Sequence, residues 1–185
     1  MKNFAVIGNP IEHSLSPLLH NMIFKSLDIN ANYKKILVEH KHLDYIINLL
    51  RTSNLDGINV TIPYKEQIIN MIDKVSPIAK EIGSINFIMK KKGILYGNNT
   101  DWYGFVQAIK YNNIDLYKKN IIVLGSGGTA KSVIYALNHL EVETIQLVSR
   151  NINKLNFKLT NNINILNYEL IPEIIKTDSI IINTT

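Results

Sequence analysis

Ile121-Ile122-Val123-Leu124-Gly125-Ser126-Gly127-Gly128-Thr129-Ala130 reads as a strand, a glycine turn and the opening of a helix. Gly125 permits the tight turn, and Gly127 lets backbone approach a pyrophosphate closely. The helix that follows offers unpaired N–H groups and the positive end of its dipole to phosphate oxygens. Ala130 holds the third fingerprint position, where alanine is tolerated. A glycine turn alone also describes a bare strand–helix connection. This one opens a βαβ unit of the expected length, which makes Gly125, Ser126, Gly127, Gly128, Thr129 and Ala130 candidate cofactor-binding residues.

Downstream, residues 144–148 form the next strand, which ends in Ser149-Arg150, with Lys154 a turn beyond. An acid at this strand end would hold the ribose hydroxyls of NAD. A cation is what a ribose 2′-phosphate needs, and an acid would repel it. Ser149, Arg150 and Lys154 therefore join the cofactor set, and the cofactor expected is NADP. A helix over 153–159, a strand over 163–166, a weaker helix over 168–176 and a strand over 179–183 complete this block.

Upstream, short apolar runs alternate with amphipathic stretches. Strands are expected over 4–7, 33–38 and 57–62, and helices over 17–27, 43–50 and 64–72, the last opened by Pro63. Residues 77–82 suggest another helical turn, 85–89 and 94–97 a hairpin, and 101–111 a helix. Such alternation implies an α/β fold with a mostly parallel sheet covered on both faces. The polar stretch from Asn112 and Asn113 to Lys119 reads as the boundary between a first domain over 1–111 and a partial Rossmann dinucleotide-binding domain over 112–185. A hinge is expected near Trp102–Asn113.

Composition narrows the classes. The 185 residues are 46% apolar and 19% charged, as in globular chains, which argues against disorder. With no cysteine there is no disulfide, thiolate metal site or cysteine nucleophile. The net charge of +5 comes with heavy use of Lys, Asn and Ile throughout, the pattern of an AT-rich coding sequence. No basic stripe is interleaved with aromatics, so nucleic acid is not an expected partner. Lys90, Lys91 and Lys92 precede Gly93 in a solvated turn. His40, His42 and His139 show no ligand spacing, and no metal is expected. No apolar run nears the ~18 residues of a membrane span. The N-terminal run of 4–7 is broken by Gly8-Asn9-Pro10, unlike a signal peptide, so a cytoplasmic protein without membrane partners is expected.

Four further motifs stand at successive strand ends and loop mouths, where open α/β sheets bind ligands. They are Ser14-Leu15-Ser16-Pro17, Asn59-Val60-Thr61-Ile62-Pro63-Tyr64-Lys65, Gly83-Ser84-Ile85-Asn86 and Gly97-Asn98-Asn99-Thr100-Asp101. Each has a plain structural reading. The serines and Asp101 suit helix caps, Thr61 and Asn86 suit strand-end capping, and Lys65 suits a solvated first helical turn. A lysine there also opposes the helix dipole, a local rule broken without structural gain.

Together with the glycine loop, these motifs resemble the shikimate dehydrogenase family. The matching elements are Ile7-Gly8-Asn9-Pro10, His13-Ser14-Leu15-Ser16-Pro17 with His20-Asn21, Asn59 through Lys65, Ser84-Ile85-Asn86, Asn99-Thr100-Asp101 with Gly104, and Gly125 through Gly128. They run in order along essentially the whole chain.

The resemblance implies an α/β substrate-binding catalytic domain followed by the nucleotide domain. It implies NADP-dependent, reversible reduction of 3-dehydroshikimate to shikimate, a step of aromatic amino acid biosynthesis. Ser14 and Ser16 would bind the substrate carboxylate, and Thr61 and Asn86 the ring hydroxyls. Lys65 would stabilise the developing alkoxide and deliver its proton, with Asp101 as the carboxylate that orients the lysine and shares the substrate hydroxyl. Asn99 is a further substrate or interdomain candidate. The family's fold continues past Asn183-Thr184-Thr185, so its nicotinamide-side segment and returning C-terminal helix are expected to be missing. Ser149 and Asn151 flank Arg150 where the family usually reads Asn-Arg-Thr. Alternatives are a non-catalytic shikimate- or NADP-binding remnant and a quinate-using enzyme. The serine motif argues against the folate-linked methylene dehydrogenases. A monomer or homodimer is expected.

Overall fold

The computed structural model describes residues 1–150 and 160–185, which form two compact units. The first comprises 1–80 and 84–99, the second 81–83 and 100–185.

The first unit is built on β1 (Lys2–Gly8), whose second half is buried on both faces, as a central parallel strand requires. It pairs in parallel with β2 (Ala31–Leu37) on one side and β3 (Gly57–Val60) on the other. The hairpin over the Lys-Lys-Gly turn supplies β5 (Phe87–Lys91) and β6 (Ile94–Asn98), an antiparallel pair whose β5 also runs antiparallel to β3. A short strand that hydropathy does not reveal, β4 (Lys74–Val75), adds in parallel to β6. The sheet order is β2-β1-β3-β5-β6-β4. Helix α1 (Ser16–Ser26) lies against β2. Helix α2 (Leu43–Thr52) buries Leu43, Ile47 and Leu50, spaced for one helical face. These join Ile7, Ile58, Tyr64, Ile68, Ile85 and Leu95 in one core. Helix α3 (Pro77–Ile82) follows β4, and its last turn belongs to the second unit.

The second unit begins with α4 (Asp101–Tyr111) and continues through β7 (Asn120–Leu124), α5 (Gly128–His139), β8 (Ile145–Val148), β9 (Ile163–Leu166), α6 (Ile171–Ile174) and β10 (Ser179–Asn183). The sheet order is β10-β7-β8-β9, with every neighbouring pair parallel. Ile121, Val123, Ala130, Leu137, Ile145 and Leu147 form its core.

Three expectations need correction. The domain division falls between Asn99 and Thr100, not after residue 111. The reason is packing: Phe105 of α4 enters the second core, and Trp102 meets Tyr135 and His139 of α5 edge-on. The helix expected over 64–72 is only a 3-10 turn at Gln67–Met71, and Lys65 lies in the turn before it. The Lys65 carbonyl, which an α-helix would offer to residue 69, accepts instead from the Ile85 N–H at 2.7 Å. The helix over 168–176 shrinks to a 3-10 turn at Tyr168–Leu170 and the four residues of α6. The helix expected over 153–159 lies outside the described residues, as does Lys154. Among the described residues no helix is long and apolar enough to cross a membrane.

Candidate active site and nucleotide cradle

In the first unit the carboxyl ends of the parallel strands are stitched together. The Val38 N–H, just after β2, donates to the Gly8 carbonyl at 3.2 Å, and the Thr61 N–H, just after β3, donates to Ile7 at 2.9 Å. The Asn9 N–H donates to Ile62 at 3.0 Å. Gly8 has to be glycine: a Cβ there would stand 2.5 Å from the Thr61 methyl and 2.9 Å from the Ile62 carbonyl. The buried Tyr64 hydroxyl donates to the Val38 carbonyl, anchoring the Pro63-Tyr64-Lys65 turn across the strand ends.

The antiparallel hairpin brings its own motifs to the same edge. Because β5 runs opposite to β3, its start lies beside the end of β3. The Val60 N–H donates to the Asn86 carbonyl at 2.8 Å, and the Asn86 N–H donates to the Asn98 carbonyl at 3.1 Å. Asn99, 2% exposed, donates from Nδ2 to the Ser84 carbonyl at 3.0 Å. The Ile85–Lys65 bond then ties the Lys65 turn to the Ser84-Ile85-Asn86 motif. Thr61, Lys65 and Asn86 thus share one edge of the sheet, and Lys65 is half-buried.

Ser14 and Ser16 follow β1 at this edge. The residue capping α1 is Leu15, with no side-chain cap, and the Ser14 hydroxyl accepts only a long 3.4 Å bond from the Ser16 N–H. Capping therefore explains little of why these serines are there. Nor is Asp101 the cap of α4. That position is Thr100, again without a side-chain cap, and Asp101 is the first helical residue, in the second unit. Behind the first edge lies a support absent from the sequence reading. Tyr33 donates its hydroxyl to Asn59 Oδ1 at 2.6 Å, and His20 stacks on its ring at 4.2 Å. Burial holds the Tyr33 hydroxyl well above the ordinary phenol range and pushes the His20 ring down.

The glycine turn of the second unit is similarly braced. The Gly125 N–H donates to the Val148 carbonyl at 2.9 Å, joining the turn to the end of β8. Gly125 has φ +110, and a Cβ there would stand 2.6 Å from Thr184 Oγ1. Thr184 in turn donates its hydroxyl to the Leu124 carbonyl at 2.6 Å. Gly127 is exposed and extended, and the Lys131 N–H donates to its carbonyl to start α5. This glycine-lined cradle at the start of a twelve-residue helix suits an anionic phosphate chemically. Arg150, exposed at the end of β8, suits a 2′-phosphate. The sequence reading missed Thr184 and Lys131. Lys131 is 5% exposed, and a Cβ on Gly83 would stand 3.7 Å from its Nζ, so its ammonium lies by the carboxyl end of α3, where the helix dipole favours a cation. Its signal was a lysine inside the otherwise small and apolar run Ala130 to Ile134.

Residues 6–88 match the model of the shikimate dehydrogenase substrate binding domain. Over its whole length the chain is 42% identical to the shikimate dehydrogenase (NADP(+)) of Clostridium beijerinckii, of which it covers 68%. The chain belongs to the shikimate dehydrogenase family. It spans about two thirds of the length of the curated relatives it matches. Its backbone follows shikimate dehydrogenase 1 of Peptoclostridium difficile with a TM-score of 0.94 at 31% identity, covering 100% of this chain and 67% of that one. The Thermus thermophilus shikimate 5-dehydrogenase, solved in complex with NADP(H) and shikimate, matches with a TM-score of 0.80 at 30% identity, covering 100% and 69%. The matched residues 6–88 lie in the first unit, apart from 81–83.

Proposed function

We propose that this chain acts as an NADP-dependent shikimate dehydrogenase, reversibly reducing the ketone of 3-dehydroshikimate to the secondary alcohol of shikimate. The observation that carries the reading is the 2.7 Å bond from the Ile85 N–H to the Lys65 carbonyl. It holds the one lysine of the Asn59–Lys65 motif beside the motif of Asn86, at the strand ends where such sheets bind ligands. The relatives' names favour this reading over a binding remnant or a quinate enzyme.

When bound, NADPH supplies the hydride. Ser14 and Ser16 donate to the substrate carboxylate, and Thr61 and Asn86 bind its ring hydroxyls. As the carbonyl carbon gains the hydride, its oxygen becomes negative. The Lys65 ammonium stabilises that oxygen and gives it a proton, so the ketone leaves as an alcohol. Asp101 is assigned the carboxylate that shares the substrate hydroxyl. The turn from Gly125 to Ala130 would hold the cofactor, and Ser149 and Arg150 at the end of β8, with Lys154 beyond, are assigned to its adenine-ribose end. A cytoplasmic location and a monomeric or homodimeric state belong to the same proposal.

The test is NADPH formation from shikimate and NADP by the 185-residue chain. Lys65→Ala should lower kcat by roughly 10²- to 10⁴-fold while shikimate binding persists, the loss typical of removing a positioned general acid. Asp101→Asn should lower it similarly. Turnover by Lys65→Ala at the wild-type rate would sink the assignment.

A further inference from the structure

Two serines of the second unit meet at the cofactor cradle. Ser149, 2% exposed, follows β8, and its hydroxyl donates to Ser126 Oγ at 2.9 Å. Ser126 stands between Gly125 and Gly127 in the turn. The bond places its side chain on the flank of the turn that faces the end of β8. In dinucleotide folds these flanks serve different parts of the ligand. The helix flank meets the pyrophosphate, and the end of the second strand meets the adenine ribose. Arg150, exposed and next in sequence to Ser149, stands on the ribose flank.

We infer that Ser126 is a specificity residue for the ribose 2′-phosphate, and that Ser149 is a positioning residue acting through it. This rests on the nucleotide reading above. A serine hydroxyl has one hydrogen to give and two lone pairs to receive. With Ser149 donating into Ser126 Oγ, the Ser126 hydrogen is left to serve another acceptor, and accepting one bond strengthens the bond it gives. A 2′-phosphate presents ionised oxygens, the acceptors that make a hydroxyl bond strongest. Arg150 supplies charge, whereas Ser126 supplies direction. NAD has only a hydroxyl at that position and draws much less from either residue. The turn cannot easily drift from this register, because the Gly125 N–H is bonded to Val148 and Thr184 closes its other side.

The test is equilibrium binding of NADP and of NAD to the 185-residue chain by calorimetry. The variants are Ser126→Ala, Ser149→Ala, their double, Ser126→Thr and Arg150→Ala. Ser126→Ala should weaken NADP about tenfold, the worth of a hydrogen bond to a charged group, and leave NAD within about twofold. Ser149→Ala should weaken NADP severalfold alone and add nothing in the Ser126→Ala background. Ser126→Thr keeps the hydroxyl and should keep NADP binding, which separates the proposal from a misfolded turn. Equal losses for NADP and NAD would place Ser126 at the pyrophosphate and overturn the inference. So would additive effects of the two alanines. If Arg150→Ala abolishes the NADP preference while Ser126→Ala leaves it intact, the nucleotide reading stands and the serine assignment alone falls. A wild-type chain with no preference for NADP overturns both.

Discussion

Gly125→Ala is the substitution whose cost the structure sets most closely. The position has φ +110, so any side chain carries backbone strain of roughly 1–2 kcal/mol. The new Cβ would also stand 2.6 Å from Thr184 Oγ1 and 3.3 Å from the Thr184 carbonyl carbon. Thr184 cannot retreat without stretching its 2.6 Å bond to the Leu124 carbonyl, worth about 1 kcal/mol. The expected loss is therefore about 3 kcal/mol. Gly83→Ala is the matched control: φ is +72, yet the nearest atom to the new Cβ is Lys131 Nζ at an ordinary 3.7 Å. It should cost only the strain, about 1 kcal/mol. Both glycines belong to the second unit, and so does Trp102, the only tryptophan, held edge-on to Tyr135 and His139. Urea unfolding followed by Trp102 fluorescence thus reads the right part of the molecule. A Gly125→Ala, Thr184→Ala double variant should recover about 1 kcal/mol of the sum of the singles. The reasoning is refuted if Gly125→Ala costs no more than Gly83→Ala, or if the double is strictly additive.

Three further outcomes are expected in the first unit. Burial lowers the His20 pKa, so below about pH 6.5 the unfolded chain takes up a proton that the folded chain resists. Stability should fall as pH drops through that region, and His20→Phe should flatten the slope in urea titrations at pH 7.5 and 5.5; an unchanged slope would refute it. The Asn3 N–H at 2.8 Å and the Lys2 ammonium at 2.9 Å hold the Asp56 carboxyl below the usual carboxylate range. Its contribution is complete above about pH 4 and is lost as pH falls through the lowered value, so Asp56→Asn should be less stable than wild type at pH 7, with the gap narrowing as pH falls below about 4. A gap that persists in acid would point to packing instead. The fully buried Ser84 hydroxyl meets no hydrogen-bond partner among the described residues, and Ser84→Ala should raise stability by about 1 kcal/mol. A lower denaturation midpoint for the variant would show that the hydroxyl is satisfied.

Local patterns made the fold largely legible, because most elements are encoded within their own residues. The glycine turn, the spacing of Leu43, Ile47 and Leu50, and the hairpin over Gly93 need no distant partner to be read. What could not be read depends on partners far along the chain. Residues 64–72 have the composition of a helix, but the Lys65 carbonyl is taken by Ile85, twenty residues on, once β5 enters antiparallel to β3. Likewise α4 looks like the last element of the first domain until its apolar face meets the core of β7 and α5. Thr184 matters to Gly125 only because β10 pairs with β7, a register joining Leu124 to a residue 60 positions further along the chain, which local sequence does not announce.

The same distinction bears on the candidate site. Motifs at strand ends could be recognised one by one, but their convergence depends on strand direction. A parallel β5 would carry Asn86 to the opposite edge from Thr61. The antiparallel hairpin instead starts β5 where β3 stops, so Val60 and Asn86 are bonded and Ile85 reaches Lys65. The turn that deprives Lys65 of a helix also relieves the dipole conflict seen in the sequence, since no α-helical N-terminus forms beneath its ammonium. The lysine is therefore placed by a long-range backbone bond rather than by a helix. It follows that substitutions in the Ser84-Ile85-Asn86 segment that leads into β5 should perturb Lys65 more than substitutions within Gln67–Met71.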